Sequence, residues 1–375
     1  MKAIVNGTVL LPTGAAQGKA LLFDRVCLGV TEQPPAGAEI IDAGGLYVAP
    51  GFVDVHVHGY LGADASDGDA EGLRRMARGM LQNGVTSFLP TTMTVPRPQL
   101  AAAFEAIRAC MAEDTGGAQI LGCHAEGPFI SPKKKGAQAE EAILPPDADV
   151  LLPYADVIRL VTLAPEMPGA LDCIRALRGA GMRVSIGHTE ADYDAARAAL
   201  AAGASQFTHT FNAMSALNHR APGAVGAALT SDAYCELIAD TFHVHPALFS
   251  LLHRCKGDRL VLITDCTRAG GLADGQYDLG GQEITVRGIE CRLADGTIAG
   301  SVLKMNEAVR NLRDHAGLLF YEAVNCASLY PACALGLDRQ KGSLRTGRDA
   351  DILLLDEACR VHAAWVKGEI KYNEQ

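Results

Sequence analysis

The chain has 375 residues, 49% of them hydrophobic, enough for one large barrel and a small accessory domain but too interrupted by polar residues for a membrane protein. With 33 Lys and Arg against 43 Asp and Glu, the formal charge of -10 repels polyanions and argues against a nucleic-acid partner, although an anionic metabolite can still bind at a local positive site. Eleven cysteines without a CxxC pair form neither a disulfide framework nor a zinc knuckle, and Met1 to Val5 shows no leader-like apolar core, so the cytoplasm is the expected location.

In chain order, residues 1–49 read as short β pieces, such as 2–5 and 20–23, with turns at Asn6-Gly7 and Gly44-Gly45. From Pro50 onward β-rich runs alternate with Ala-rich helical stretches. The runs are 52–56, 87–91, 120–126, 158–163, 183–188, 206–209, 235–240 and 259–265. Between them, 70–83, 99–112, 170–179 and 193–202 carry apolar residues at helical spacing, and Gly84, Gly181 and Gly203 stand where left-handed C-caps are needed. Eight strand-helix units close into a barrel more readily than they spread into an open sheet. Residues 276–297, dotted with glycine, suit a hairpin that extends a terminal β layer, and the tail repeats the character of the N-terminus at 351–355 and 361–370. The expected fold is therefore α/β. A (β/α)8 TIM-type barrel spans 50–341, and a small β domain is built from both termini, 1–49 and 342–375.

In such a barrel the chemistry sits at the C-terminal ends of the strands. Those ends are rich in metal ligands: His56-Val57-His58, His124-Ala125-Glu126, His188, His209 and Asp265. Residues two apart on a strand face the same side, so His56 and His58 can grip one ion. Each residue alone is weak evidence, but imidazole or carboxylate at five of eight strand ends is not a chance pattern. His124 shares the face of Glu126 deeper in the barrel and reads as support for a ligand rather than a ligand itself. Cys123 and Cys266, nearby, read as small buried hydrophobes.

Several segments, taken together, resemble one family. They are Pro50-Gly51-Phe52-Val53-Asp54-Val55-His56-Val57-His58-Gly59, His124-Ala125-Glu126-Gly127-Pro128-Phe129, Gly187-His188-Thr189, Thr208-His209-Thr210-Phe211-Asn212-Ala213-Met214, Ile263-Thr264-Asp265 and Ala299-Gly300-Ser301. In order and wording this is similar to the N-acetylglucosamine-6-phosphate deacetylases of the amidohydrolase superfamily, over nearly the whole chain. The resemblance implies that Glu126, His188 and His209 hold a divalent metal, zinc or iron, and that Asp265 is the general base and acid. A metal lowers the pKa of water, and an adjacent carboxylate can take its proton and return it to the departing amine. The resemblance also implies a phosphorylated amino sugar as substrate and a homodimer. Arg220 matches an arginine that binds the 6-phosphate, in some members across a dimer interface. His243 matches a phosphate-side histidine, and Asn212 and Ala213 match loop contacts.

Two positions depart from the family pattern. Thr241 stands where many members have glycine, and Gln138, which the resemblance makes a substrate-binding residue, stands where some have a histidine that contacts the substrate carbonyl. With His56 and His58 present and the loop histidine absent, a second ion bridged through Glu126 would make that imidazole unnecessary, so of one or two ions per chain the expectation is two. Lys133-Lys134-Lys135 reads as a solvated face rather than a phosphate-steering patch. Cyclic-amide amidohydrolases often bridge two metals with a carbamylated lysine at the end of strand four, and 161–166 contains no lysine. An N-acetylgalactosamine-6-phosphate deacetylase differs by one inverted hydroxyl read by loops, and a non-catalytic scaffold of the same fold is the third reading.

Overall fold

In the computed structural model, which describes residues 1–374, the eight β-rich runs become eight parallel strands. They are β1 (Phe52–Val57), β2 (Val85–Thr92), β3 (Cys123–Glu126), β4 (Ile158–Leu163), β5 (Arg183–Ile186), β6 (Gln206–Phe207), β7 (Tyr234–Ile238) and β8 (Leu260–Ile263). Each pairs in parallel with the next, from β1 with β2 to β7 with β8. The ring closes at its C-terminal rim, where Asp265 N donates to His56 O and His58 N to Cys266 O, both at 2.9 Å. Just inside this seam Asp54, fully buried on β1, accepts from the Thr264 hydroxyl at 2.6 Å, and burial pushes its pKa up to about 7.

Every residue of β1 and β2 is buried, as a sheet covered on both faces requires. Several strands stop short of the sequence expectation because the chain turns out of the sheet at the functional residues. His188, His209 and Asp265 have φ of 48°, 31° and 50°, left-handed values that end a strand. The expected run 120–126 is broken: Gln119–Ile120 pairs with β2 separately, and Gly122 at φ 148° precedes β3.

The helices follow from amphipathic spacing and caps. In α1 (Ala70–Met80), Leu73, Met76, Ala77 and Met80 form the buried stripe, Asp69 accepts from Glu71 N at the N-cap, and a further turn ends at Gly84, φ 83°. α2 (Arg97–Met111), α3 (Ala170–Gly179) and α4 (Tyr193–Ala202) cover the next faces, and Asp192 caps α4 through Ala195 N. Among the described residues, no α-helix joins β3 to β4. The chain instead makes short 3-10 turns through Pro132–Lys134, Glu140–Ala142, Ala148–Val150 and Leu152–Tyr154. A connection this long usually carries function.

Outside the barrel, a six-stranded sheet runs in the order Glu369–Asn373, Val361–Val366, Ile352–Leu355, Tyr47–Pro50, Thr8–Leu11, Gly14–Gln17, and so draws on both ends of the chain. A four-stranded sheet of Cys27–Thr31, Ala20–Phe23, Lys2–Val5 and Glu39–Asp42 packs against it. Ile4, Leu21, Phe23, Val48, Ile352 and Trp365 form a core there, separate from that of the barrel. The glycine-dotted segment does not extend this layer. Gly275–Leu279, Gln282–Arg287 and Glu290–Leu293 form their own three-stranded antiparallel sheet, held over the barrel mouth by a hydrogen bond from the Gln282 amide to Ala137 O.

Candidate metal centre and substrate pocket

Six side chains from five strand ends meet at the barrel mouth in two groups: Glu126, His188 and His209, and His56, His58 and Asp265. The tautomers can be read from the hydrogen bonds. Nδ1 of His58 donates to Thr91 O at 3.0 Å, that of His188 to Lys134 O at 2.8 Å, and that of His209 to Asn212 O at 3.2 Å. The Nδ1 of His56 donates to Glu236 Oε2 at 3.0 Å. Each ring therefore presents its Nε2 lone pair to the centre.

These lone pairs face one another. Nε2 of His188 and His209 lie 3.1 Å apart, and those of His56 and His58 3.3 Å apart. Two acceptors at such distances repel unless a proton or a metal cation lies between them, and the two donor groups fit two divalent ions. Glu126 belongs to both groups. Its Oε1 is 3.1 Å from His209 and 3.2 Å from His188, and its Oε2 is 3.3 Å from His58. Asp265 Oδ1 lies 3.2 Å from His58 Nε2 and 3.5 Å from His56 Nε2. His56, His58 and Glu126 alone would give that second ion three protein donors. Asp265 adds a fourth, and so stands in reach of an ion as well as of the chemistry.

With no ion present, the charges of this buried cluster hold one another. Burial opposes charge on His56, but Glu126, Asp265 and Glu236 outweigh it, and the pKa stands at about 9. His58 is likewise raised well above the usual imidazole range against the penalty of burial, by Asp265 and Glu126. Burial favours protonation of Asp265, but His56 and His58 hold its pKa down to about 2. His124 behaves differently, because burial and the neighbouring His56 push it well below the usual range. It spends Nε2 on the Thr162 hydroxyl at 2.8 Å and joins neither group.

A cleft of about 370 Å³ opens above the centre, large enough for a sugar phosphate. His58, Glu126, His188, His209 and Asp265 form its floor, and Gln138, Asn212, Ala213 and His243 its walls. Leu279 of the three-stranded sheet adds an apolar edge. His243 donates Nδ1 to Asp240 Oδ2 at 2.6 Å, which leaves its Nε2 without a partner among the described residues. The Gln138 amide is already engaged at both ends. Its oxygen accepts from Thr94 N at 2.6 Å and its nitrogen donates to Glu126 Oε2 at 2.5 Å. Arg220 does not line the cleft of its own chain, but lies exposed on the loop that follows Met214.

One sequence expectation needs correcting here. Of the lysine run, Lys133 is exposed and pairs with Glu190, and Lys135 pairs with Glu140, but Lys134 is half-buried in the cleft wall and has no carboxylate within ion-pair distance among the described residues. Loop composition could not show this, because it depends on the chain folding back over the barrel. Glu236 was also missed. The available signal was a carboxylate in the otherwise apolar run Tyr234-Cys235-Glu236-Leu237-Ile238.

A family model described as the amidohydrolase family matches residues 47–371. The chain belongs to the amidohydrolase family. Among relatives of this amidohydrolase, an N-acetylglucosamine-6-phosphate deacetylase of Bacillus subtilis (strain 168) is 40% identical over 353 residues, covering 91% of this chain and 89% of the relative. An N-acetylgalactosamine-6-phosphate deacetylase of Escherichia coli O157:H7 is 40% identical over 360 residues, covering 95% and 93%. The crystal structure of N-acetylglucosamine-6-phosphate deacetylase from Pasteurella multocida superposes with a TM-score of 0.95 at 34% identity, covering 99% of the amidohydrolase described here and 100% of that chain.

Proposed function

We propose that this amidohydrolase hydrolyses the acetamide of N-acetylglucosamine-6-phosphate, giving glucosamine-6-phosphate and acetate. The observation that carries the reading is the pair of imidazole couples facing each other across Glu126, with Asp265 over them at the floor of a sugar-sized cleft. Glu126, His188 and His209 would hold one divalent ion, zinc or iron, and His56 and His58, with Asp265 and the nearby Glu126, would hold a second. A divalent ion supplies Lewis acidity, making water acidic near neutral pH and polarising an amide carbonyl. Asp265 takes the proton that water gives up as its oxygen attacks the carbonyl carbon, then delivers it to the sugar nitrogen as the C–N bond breaks. The amine leaves neutral and the acetyl group leaves as acetic acid, whose proton passes to the amine or to solvent to give acetate.

The anionic end of the substrate would lie against Lys134 and the free Nε2 of His243, with Asn212 and Ala213 contacting the sugar. Arg220 is exposed and outside the cleft of its own chain, and in the homodimer we propose it would reach the phosphate of a neighbouring copy. No helix among the described residues is long and apolar enough to cross a membrane. Because a phosphorylated sugar does not cross a bilayer unaided, the cytoplasm is the compartment we propose. We also propose that 1–49 and 342–375 act as one small domain beside a barrel of 50–341, a division supported by their separate core.

The epimeric sugar is the second reading, favoured by the equal identity of the N-acetylgalactosamine-6-phosphate deacetylase. Acetate release from both acetylated hexosamine phosphates, and from unphosphorylated N-acetylglucosamine, tests the proposal. A higher kcat/KM for the galacto epimer would reverse the assignment, and indifference to the phosphate would remove it.

A further inference from the structure

Glu236 sits in the middle of β7, fully buried. Its only ion-pair partner among the described residues is His56. A buried carboxylate without lysine or arginine is costly unless positive charge lies close by. Three donors converge on it: His56 Nδ1 at 3.0 Å, the His209 backbone N–H at 3.0 Å and the Gln206 amide at 2.5 Å.

One asymmetry gives this residue a role. The Nδ1 atoms of His58, His188 and His209 donate to main-chain carbonyls, which no substitution removes. His56 alone depends on a side chain for its acceptor. A carboxylate in that position fixes the tautomer, aims Nε2 at the cluster, and raises the electron density of the ring. Its negative charge also lies one imidazole away from where an ion would sit.

We propose that Glu236 is a positioning residue that sets the metal affinity of the His56, His58 and Asp265 cluster, while the Glu126, His188 and His209 cluster holds its ion without it. This rests on the two-ion reading of the centre. In Glu236→Gln the shape is kept and a neutral oxygen can still accept from His56. Gln206 can turn its amide to match, because its Oε1 has no partner among the described residues. Glu236→Met removes the acceptor altogether.

The test measures zinc bound per chain against buffered free zinc, together with the visible absorption of the cobalt-loaded protein. Wild type should take up two ions. Glu236→Gln should weaken one of them by roughly tenfold and Glu236→Met by about a hundredfold, the range seen when the partner of a metal-bound histidine is lost, with the other ion unchanged. In a His58→Ala background, Glu236→Gln should have no further effect on the remaining ion. Should Glu236→Met fail to fold, as read by thermal unfolding of the metal-free protein, Glu236→Gln decides alone. Two ions bound with wild-type affinity by Glu236→Gln, or equal weakening of both, would overturn this proposal while leaving the two-ion centre intact. A wild type that takes up a single ion would overturn both.

Discussion

Asp265 leaves β8 with a left-handed backbone, φ 50°, which brings its carboxylate to 3.2 Å from His58 Nε2 at the floor of the cleft. Asp265→Asn keeps the size and removes the proton acceptor, so kcat at saturating metal should fall by ~100-fold or more. Kinetics with metal content measured on the same sample check this. A metal-replete variant with near-normal turnover would make Asp265 a ligand only. Thr241 shows how a sequence departure becomes a physical statement. Where many members of the resembling family have glycine, this chain holds a β-branched residue at φ 69°, an unfavourable conformation for it. Thr241→Gly should relieve about 1 kcal/mol of backbone strain, partly offset by the greater freedom of glycine in the unfolded chain. The urea midpoint should rise, and a fall would show that the Thr241 side chain makes a stabilising contact. At this scale the ligating residue types were legible from strand-end position, but their partners were not. The Nδ1 acceptors are mostly main-chain carbonyls, which carry no sequence signal.

Between β3 and β4 the barrel gives up a helix for a long loop that brings Lys134 and Gln138 to the cleft. Helical periodicity located α3 and α4 to the residue, because their apolar stripes and caps are local. The same reasoning could not place the loop, whose position depends on contacts such as Ser131 N to His188 O, 2.9 Å, and the Gln282 amide to Ala137 O from the far three-stranded sheet. Gln138 was expected to meet the substrate, yet its amide is spent on Thr94 and Glu126. Gln138→Ala should therefore act through Glu126, raising the Kd for metal by roughly tenfold, the lower end for loss of a partner to a ligand. Turnover should fall more than KM rises. A large rise in KM with unchanged metal affinity would restore direct substrate contact.

For the molecule as a whole, the candidate metal ligands meet within one chain, whereas Arg220 lies outside that chain's own cleft. Arg220→Ala should weaken phosphorylated substrate by about 1.5 to 3 kcal/mol and leave the unphosphorylated sugar nearly unchanged. If the arginine serves a neighbouring copy, specific activity should also fall on dilution, alongside the loss of dimer seen by sedimentation. Equal losses for both sugars would assign Arg220 to folding instead. The parallel barrel was legible because its strands and helices alternate along the chain. The sheet drawn from both termini was legible only as β character, since its pairings join residues from opposite ends of the sequence.

Those pairings have a consequence for how the protein is made. Tyr47–Pro50 lies between Thr8–Leu11 on one side and Ile352–Leu355 on the other. During translation the first partner emerges before the barrel and the second only after it, so one edge of this strand stays open to stray pairing while the whole barrel is synthesised. The strands that follow the barrel act as a closing stitch. A ribosome that stalls late in the message would release a chain with a nearly complete barrel and an uncovered β edge, a form suited to recognition by chaperones and proteases.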